Sequence, residues 1–173
     1  MHHCATMRIF ITIILIALCS LCQADFYRSD DLRVQRWENA KVSPRNKARV
    51  DRIISRIVKN KSRYVSVDNK SQVPWYIIAV LHNMESGGSF RHHLHEGSPL
   101  SGRTRWVPKG RPRWGKPPYR WEDSAKDALA YDSMGSVRWS YLFDTVWAIE
   151  RYNGTGYWKY HRSVPTPYLY AGT

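Results

Sequence analysis

One carboxylate in this chain stands where acid–base chemistry could be done. Glu85 closes the run Trp75-Tyr76-Ile77-Ile78-Ala79-Val80-Leu81-His82-Asn83-Met84-Glu85-Ser86-Gly87-Gly88, in which apolar side chains dominate the turns before two glycines break the helix. A carboxylate carried by a mostly buried helix to the edge of a glycine break is partly desolvated. Desolvation lifts a carboxyl pKa toward the range where it can donate a proton near neutrality. That is the environment a general acid needs to cleave a sugar bond. The plainer alternative is a solvated glutamate at a helix end, since most glutamates are exposed.

Four histidines crowd Glu85 in sequence: His82, His92, His93 and His95. His82 lies one turn before Glu85 on the same helical face, and such a pair with further histidines could bind zinc. The metalloprotease spacing His-Glu-x-x-His is missing, however, and His92 and His93 point apart in extended backbone. No metal and no cofactor are expected, and His82 reads as a hydrogen-bonded helix residue. The other acids nearby are Glu96 in the following loop and Glu122 and Asp123 at the next helix start. Solvated or helix-capping roles suit them better than catalysis.

Beyond Gly88 the chain runs to residue 121 through glycine- and proline-rich sequence that holds seven Lys or Arg between Arg103 and Arg120 and no acid after Glu96. A connection this long inside one domain is usually functional. Trp106, Trp114, Tyr119 and Trp121 interleave with the basic residues, which suits a polymer bearing carboxylates and stackable rings. Trp106 is therefore a candidate substrate contact. A solvated face that keeps the protein soluble is the plain alternative, and single-stranded nucleic acid would suit the same pattern nearly as well.

Several elements must position these groups. Residues 25–42 read as an N-terminal arm of little periodicity. Ser43-Pro44 is a helix start, and Val50, Ile53, Ile54, Ile57 and Val58 form one apolar stripe of a helix running to about Lys59. Residues 61–72 read as a polar connection. The Glu85 helix opens at Pro74 and, with apolar residues all round it, should be the most buried. Thr104-Arg105-Trp106-Val107 reads as one strand of a small hairpin turning at Lys109-Gly110-Arg111-Pro112. A helix with acids in its first turn runs from Trp121 to about Tyr131. Another runs from near Ser136 to about Arg151, burying Val137, Tyr141, Leu142, Val146, Ile149 and Trp147, and stops at Tyr152-Asn153-Gly154-Thr155-Gly156. The tail from Tyr157 to Thr173 reads as an extended strap. The sum is a mainly α domain over residues 43–173, with a long irregular loop or small β-hairpin as an insertion.

Residues 1–24 read as a secretory signal peptide: Arg8, an apolar stretch from Ile9 to Cys22, and Ala24 before the cut. The apolar stretch is about 14 residues, short of the roughly 20 that span a bilayer, although retention as an uncleaved membrane anchor is the alternative. Cys4, Cys19 and Cys22, all three cysteines of the chain, lie there, so the remainder holds neither disulfide nor thiolate chemistry. Removing this segment takes away Arg8 and no acid, which lowers the net charge from +13 to +12. A secreted or periplasmic protein that basic meets anionic wall polymers or anionic lipid before nucleic acid.

Six pieces in order carry a resemblance: "WYIIAVLHNMESGGSF", "LHEGSPL", "VPKGRP", "WEDSAKDAL", "ERYNGTGY" and the closing "TPYLYAGT". Over about residues 73–173 the chain resembles the lysozyme-like superfamily, in its lytic transglycosylase and phage-endolysin branch. The resemblance implies a lysozyme-like helical domain in which Glu85 is the catalytic acid, with Ser86 beside it and Tyr152 and Asn153 lining the same cleft. It implies cleavage of peptidoglycan glycan strands at the MurNAc-β-1,4-GlcNAc bond by a monomer, with anionic wall polymers held by the basic loop and no nucleic acid as partner. The chain departs from the family in lacking a Gly-Leu-Met-Gln element after Glu85. It also has Ser98 where relatives carry an aspartate, which leaves Glu96 as the loop's candidate for a second carboxylate. Two rival functions stay open: a cationic wall-binding or bactericidal protein without turnover, and a zinc peptidase of the wall stem peptide.

Overall fold

The computed structural model of the chain describes residues 32–161 and 166–170. The proposed leader, residues 1–24, lies outside them. The chain divides into two units, residues 1–39 and 40–173. In the first, residues 32–39 form a helix, α1, where an aperiodic arm was expected.

The second unit is mainly helical, and no strand occurs among the described residues. A 3-10 turn, Pro44–Asn46, leads into α2, Lys47–Lys59. Helix α2 ends at Lys59 as the apolar stripe predicts, yet it buries no residue: only Ile57 packs against the core, while Ile54 and Val58 are 52% and 57% exposed. Residues 61–72 are not a loop. They form α3, Lys61–Ser71, whose Tyr64 and Val67 are fully buried. Too few apolar residues sit there to mark a helix by periodicity, so tertiary packing decided its state. The Asp68 carboxylate of α3 accepts the Trp75 N–H at 3.1 Å, capping the start of the next helix, α4, Trp75–Ser86.

Helix α4 buries Ile77, Ile78, Ala79, Leu81 and His82 but leaves Tyr76 and Val80 exposed on one side. It is not the most buried helix. That is α5, Trp121–Tyr131, which buries Trp121, Ser124, Ala125, Asp127, Ala128 and Leu129. Helix α3 packs against both. Where the three meet, the rings of Tyr64, His82, Phe90 and Trp121 stand 4.5–5.8 Å apart, centroid to centroid. Arg63 lies 3.8 Å over the Phe90 ring and donates to the Glu122 carboxylate at 2.6 Å.

The segment between α4 and α5 is an irregular loop rather than a hairpin. Its one bridge joins His92 and Pro99. The expected strand at Thr104 is a closed turn: the Thr104 N–H donates to the Arg111 carbonyl at 2.8 Å, and the Gly110 N–H returns to the Thr104 carbonyl at 2.9 Å. Proline at 108 and 112 removes the donors a ladder would need. Buried polar groups tie this loop to α5. His93 bonds Ser124 Oγ through Nδ1 at 2.6 Å and the Gly102 carbonyl through Nε2 at 2.8 Å. Asp127 takes His95 Nε2 at 2.8 Å on one oxygen and receives both the Nε and Nη2 of Arg111, at 2.9 and 2.6 Å.

After α5 the chain does not resume helix at Ser136. A 3-10 turn, Met134–Ser136, gives way to extended backbone at Val137, and α6 runs only from Leu142 to Tyr152. Val146 and Ile149 are buried as expected, whereas Tyr141 is 57% exposed. The tail is not an extended strap where it is described: Gly156–Tyr160 forms α7 and Pro167–Tyr170 forms α8.

The Asp127 side chain is almost wholly buried, so Asp127→Ala strands Arg111 and His95 without their acceptor. Equilibrium urea unfolding should show a loss of about 3–5 kcal/mol. Asp123→Ala, which removes the partly exposed pair with Lys126, should change stability by less than about 1 kcal/mol. Equal effects would show that the Asp127 network does not hold the loop.

Candidate active site around Glu85

Glu85 continues the buried face of α4. Ile78 and Leu81, seven and four residues before it, are fully buried, and they carry the carboxylate inward with them. The helix then ends because Gly87 takes φ +61°, and the N–H groups of Gly87 and Gly88 turn back to the His82 carbonyl. The loop closes directly on that end. Gly97 sits at φ +77°, and a β-carbon there would lie 2.7 Å from the Glu85 carbonyl oxygen, so only glycine allows the approach. This contact brings Glu96 beside Glu85, eleven residues on.

The half-buried Glu85 carboxylate accepts the Tyr168 hydroxyl on Oε1 at 2.7 Å. Burial lifts its pKa above the ordinary 4.5. The Tyr168 hydrogen bond opposes the shift, and the negative charges of Asp132 and Glu96 reinforce it. Asp132, just past α5, is itself raised by burial, against the lowering influence of Arg151. Tyr152 and Tyr168 are both held well above the usual phenol range, by burial first and then by the charges of Glu85 and Asp132. Glu96 turns one oxygen to the hydroxyl and N–H of Ser98, and its other oxygen is buried without a hydrogen-bond partner among the described residues. Three acids and two neutral phenols thus share one poorly solvated region. Within it Glu85 and Asp132 keep their protons to higher pH than isolated carboxylates do.

The sequence candidates fall in different places. Ser86 is spent locally, donating to the His82 carbonyl at 3.2 Å. Tyr152 lies with Glu85, but its hydroxyl donates to the Leu94 carbonyl at 3.0 Å and so pins the loop. Asn153 is exposed in the turn that follows α6. Trp106 is 70% exposed, and no hydrogen bond or ring contact among the described residues joins it to the Glu85 group. Glu122 and Asp123 are engaged by Arg63 and Lys126. Two members of the group were not singled out in the sequence, Tyr168 and Asp132. Tyr168 is 83 residues from its partner, and its only advance signal is its place in the closing tyrosine-rich piece.

The histidines do not converge. His82 shares Nδ1 with the Tyr64 hydroxyl at 3.0 Å, and burial lowers its pKa to about 4, so it is neutral near pH 7. Among the described residues no three His, Cys, Asp or Glu side chains are grouped to hold a metal ion. No family model, curated protein or solved structure matches this chain.

The raised Glu85 pKa has a consequence for stability. Its contribution is fully present below the unfolded value near 4.5 and is lost as pH rises through the higher folded value. Glu85→Gln, which keeps an acceptor for Tyr168 and removes the buried charge, should therefore raise the thermal midpoint relative to wild type at pH 7 but not at pH 4. Identical shifts at both pH values would show that Glu85 is not desolvated.

Proposed function

We propose that this chain is an exported peptidoglycan-cleaving enzyme of lysozyme-like fold, a lytic transglycosylase or muramidase, with Glu85 as general acid at the MurNAc-β-1,4-GlcNAc bond. What carries the reading is the half-buried Glu85 carboxylate, raised by desolvation and by two neighbouring acids at the glycine-closed end of its helix. The six ordered sequence pieces of the lysozyme-like branch support it, as does the proximity of Tyr152 to Glu85.

In the proposed reaction protonated Glu85 gives its proton to the glycosidic oxygen as the bond to the anomeric carbon breaks. Two routes satisfy the carbon. In the first, the neighbouring acetamido oxygen attacks, and the muramic 6-hydroxyl then displaces it while Glu85 takes back the hydroxyl proton, leaving an anhydro product. In the second, a water attacks and a second carboxylate accepts its proton, at about 6.5–9.5 Å from the acid in an inverting enzyme. Glu96 and Asp132, whose charges reach Glu85, are the candidates for that role. Tyr168 holds one oxygen of Glu85 and so orients the carboxyl and moderates its pKa.

The exposed cationic side chains Arg105, Lys109, Arg113 and Lys116, standing with Trp106 and Trp114, support anionic wall polymer as the partner of the loop. The same observation favours a wall-binding protein without turnover as the second reading. A zinc peptidase has no comparable support, because His82, His93 and His95 are each engaged with a different group.

Mass spectrometry of fragments released from purified peptidoglycan tests the reading. Wild type should release muropeptides, and Glu85→Gln should release them about a hundredfold or more slowly while still binding walls. Anhydro ends would assign the first route and reducing ends the second. Release by neither protein would leave the wall-binding reading. Tyr168→Phe removes the hydrogen bond that lowers the Glu85 pKa. The alkaline limb of the rate–pH profile should then move to higher pH, and an unmoved limb would take Tyr168 out of the site.

A further inference from the structure

A second charged site lies on the other side of α4. Asn83 and Gly87 share a helical face, and Glu85 projects at about 200° from Asn83, so the two sides of the helix end serve different groups. On the Asn83 side, α2 crosses the end of α4 and leaves a groove of about 390 Å³ lined by Arg49, Arg52, Ile53, Arg56, Asn83 and Gly87. No acid lines it. The nearest acid in sequence, Asp51, falls on the opposite face of α2 and is paired with Lys47 at 3.0 Å.

The three arginines recur at i, i+3 and i+7 and so share one face of α2. Arg56 is fixed in place. Its Nη2 donates to Asn83 Oδ1 at 2.8 Å, and its guanidinium lies so close over Gly88 that a β-carbon there would stand 3.0 Å from Nη2. Arg49 and Arg52 form no hydrogen bond or ion pair with another described residue. Three guanidiniums gathered without a counter-charge among the described residues repel one another, and a ligand that neutralises them recovers that cost. The guanidinium fork matches the oxygens of a carboxylate or a phosphate. A lone carboxylate, with one charge and two oxygens, leaves part of such a trio unpaired, whereas a phosphate group with at least two negative charges answers more of it.

We propose that the groove between α2 and the end of α4 binds a phosphate-bearing ligand of at least two charges, held by Arg49, Arg52 and Arg56, and that this site is separate from Glu85. The floor suits such a ligand, because Gly87 presents no side chain and a β-carbon there would meet open space. The inference does not depend on glycosidase activity.

The test uses the full chain and the arginine Nε–Hε resonances, read by NMR while three probes are added in turn. Pyrophosphate represents a free phosphate ligand, a soluble poly(glycerol phosphate) represents a polymer with one charge on each successive phosphodiester, and phosphatidic acid vesicles represent a lipid headgroup of up to two charges. At least one probe should shift the resonances lost in Arg49→Gln/Arg52→Gln, and that double variant should bind it about tenfold or more weakly. The probe that binds most tightly identifies the source. Arg105→Gln/Lys116→Gln in the loop controls for general cationic attraction, and Glu85→Gln controls for the acid. Both lie outside the groove and should leave groove binding within about threefold. The proposal is overturned if no probe moves these resonances, or if the Arg49/Arg52 variant binds like wild type. Because both arginines are exposed and their side chains bond no other described residue, an unchanged circular dichroism spectrum should accompany the loss of binding.

Discussion

The packing of Tyr64, His82, Phe90 and Trp121 is the interaction on which the rest of the described structure depends. These four rings come from α3, α4, the loop and α5, and their contact holds those segments in one register. Aromatic pairs at this spacing add to burial a geometric preference that aliphatic packing lacks. His82 joins as a neutral ring because burial penalises its charged form. Its carbonyl also receives the N–H groups that end α4, one turn before Glu85 leaves the helix. The position of the candidate acid is thus tied through a single residue to the centre of the core.

A second constraint acts on the loop. Its backbone has almost no regular pairing, yet it is not free, because His93, His95 and Arg111 are each anchored to α5 by buried hydrogen bonds. Such buried polar networks are costly when broken and specific when complete. They leave Gly97 pressed on the Glu85 carbonyl and Leu94 within reach of the Tyr152 hydroxyl. The loop thus brings Glu96 into the acid group, which the end of α5 and the tail complete. The group concentrates negative charge in a region of low solvation, which lowers stability near neutral pH and raises the proton affinity of Glu85. Loss of stability and gain of proton affinity near neutrality are one physical effect seen twice.

The positive charge of the chain is unevenly committed. In the loop, Arg111 is bound to Asp127 and Arg103 reaches the Gly115 carbonyl, while the exposed Arg105, Lys109, Arg113 and Lys116 face solvent. On α2, Arg49, Arg52 and Arg56 face a groove instead, and the apolar stripe they flank stays half in water. Amphipathic periodicity marked α2 as a helix, but periodicity states only that one face is apolar. Whether that face is covered depends on what else the chain brings to it.

The sequence by itself determined α4 and α5 almost to the residue, because proline and glycine bracket the first and acids with a central apolar run mark the second. It also singled out Glu85, since burial of the face that carries it follows from the apolar residues one and two turns before. Helix α3 was illegible, since Tyr64 and Val67 give too little pattern to outweigh its polar neighbours. The start of α6 was placed too early because Val137 and Tyr141 match helical spacing while their backbone is extended. Only tertiary structure decided the company of Glu85. Glu96, a candidate already in the sequence, reaches it through loop closure, whereas Asp132 and Tyr168 come from a helix end and a distant tail, and no local spacing records their meeting. Local rules report the free energy of neighbours along the chain, and a site made of residues up to 83 positions apart is set by packing.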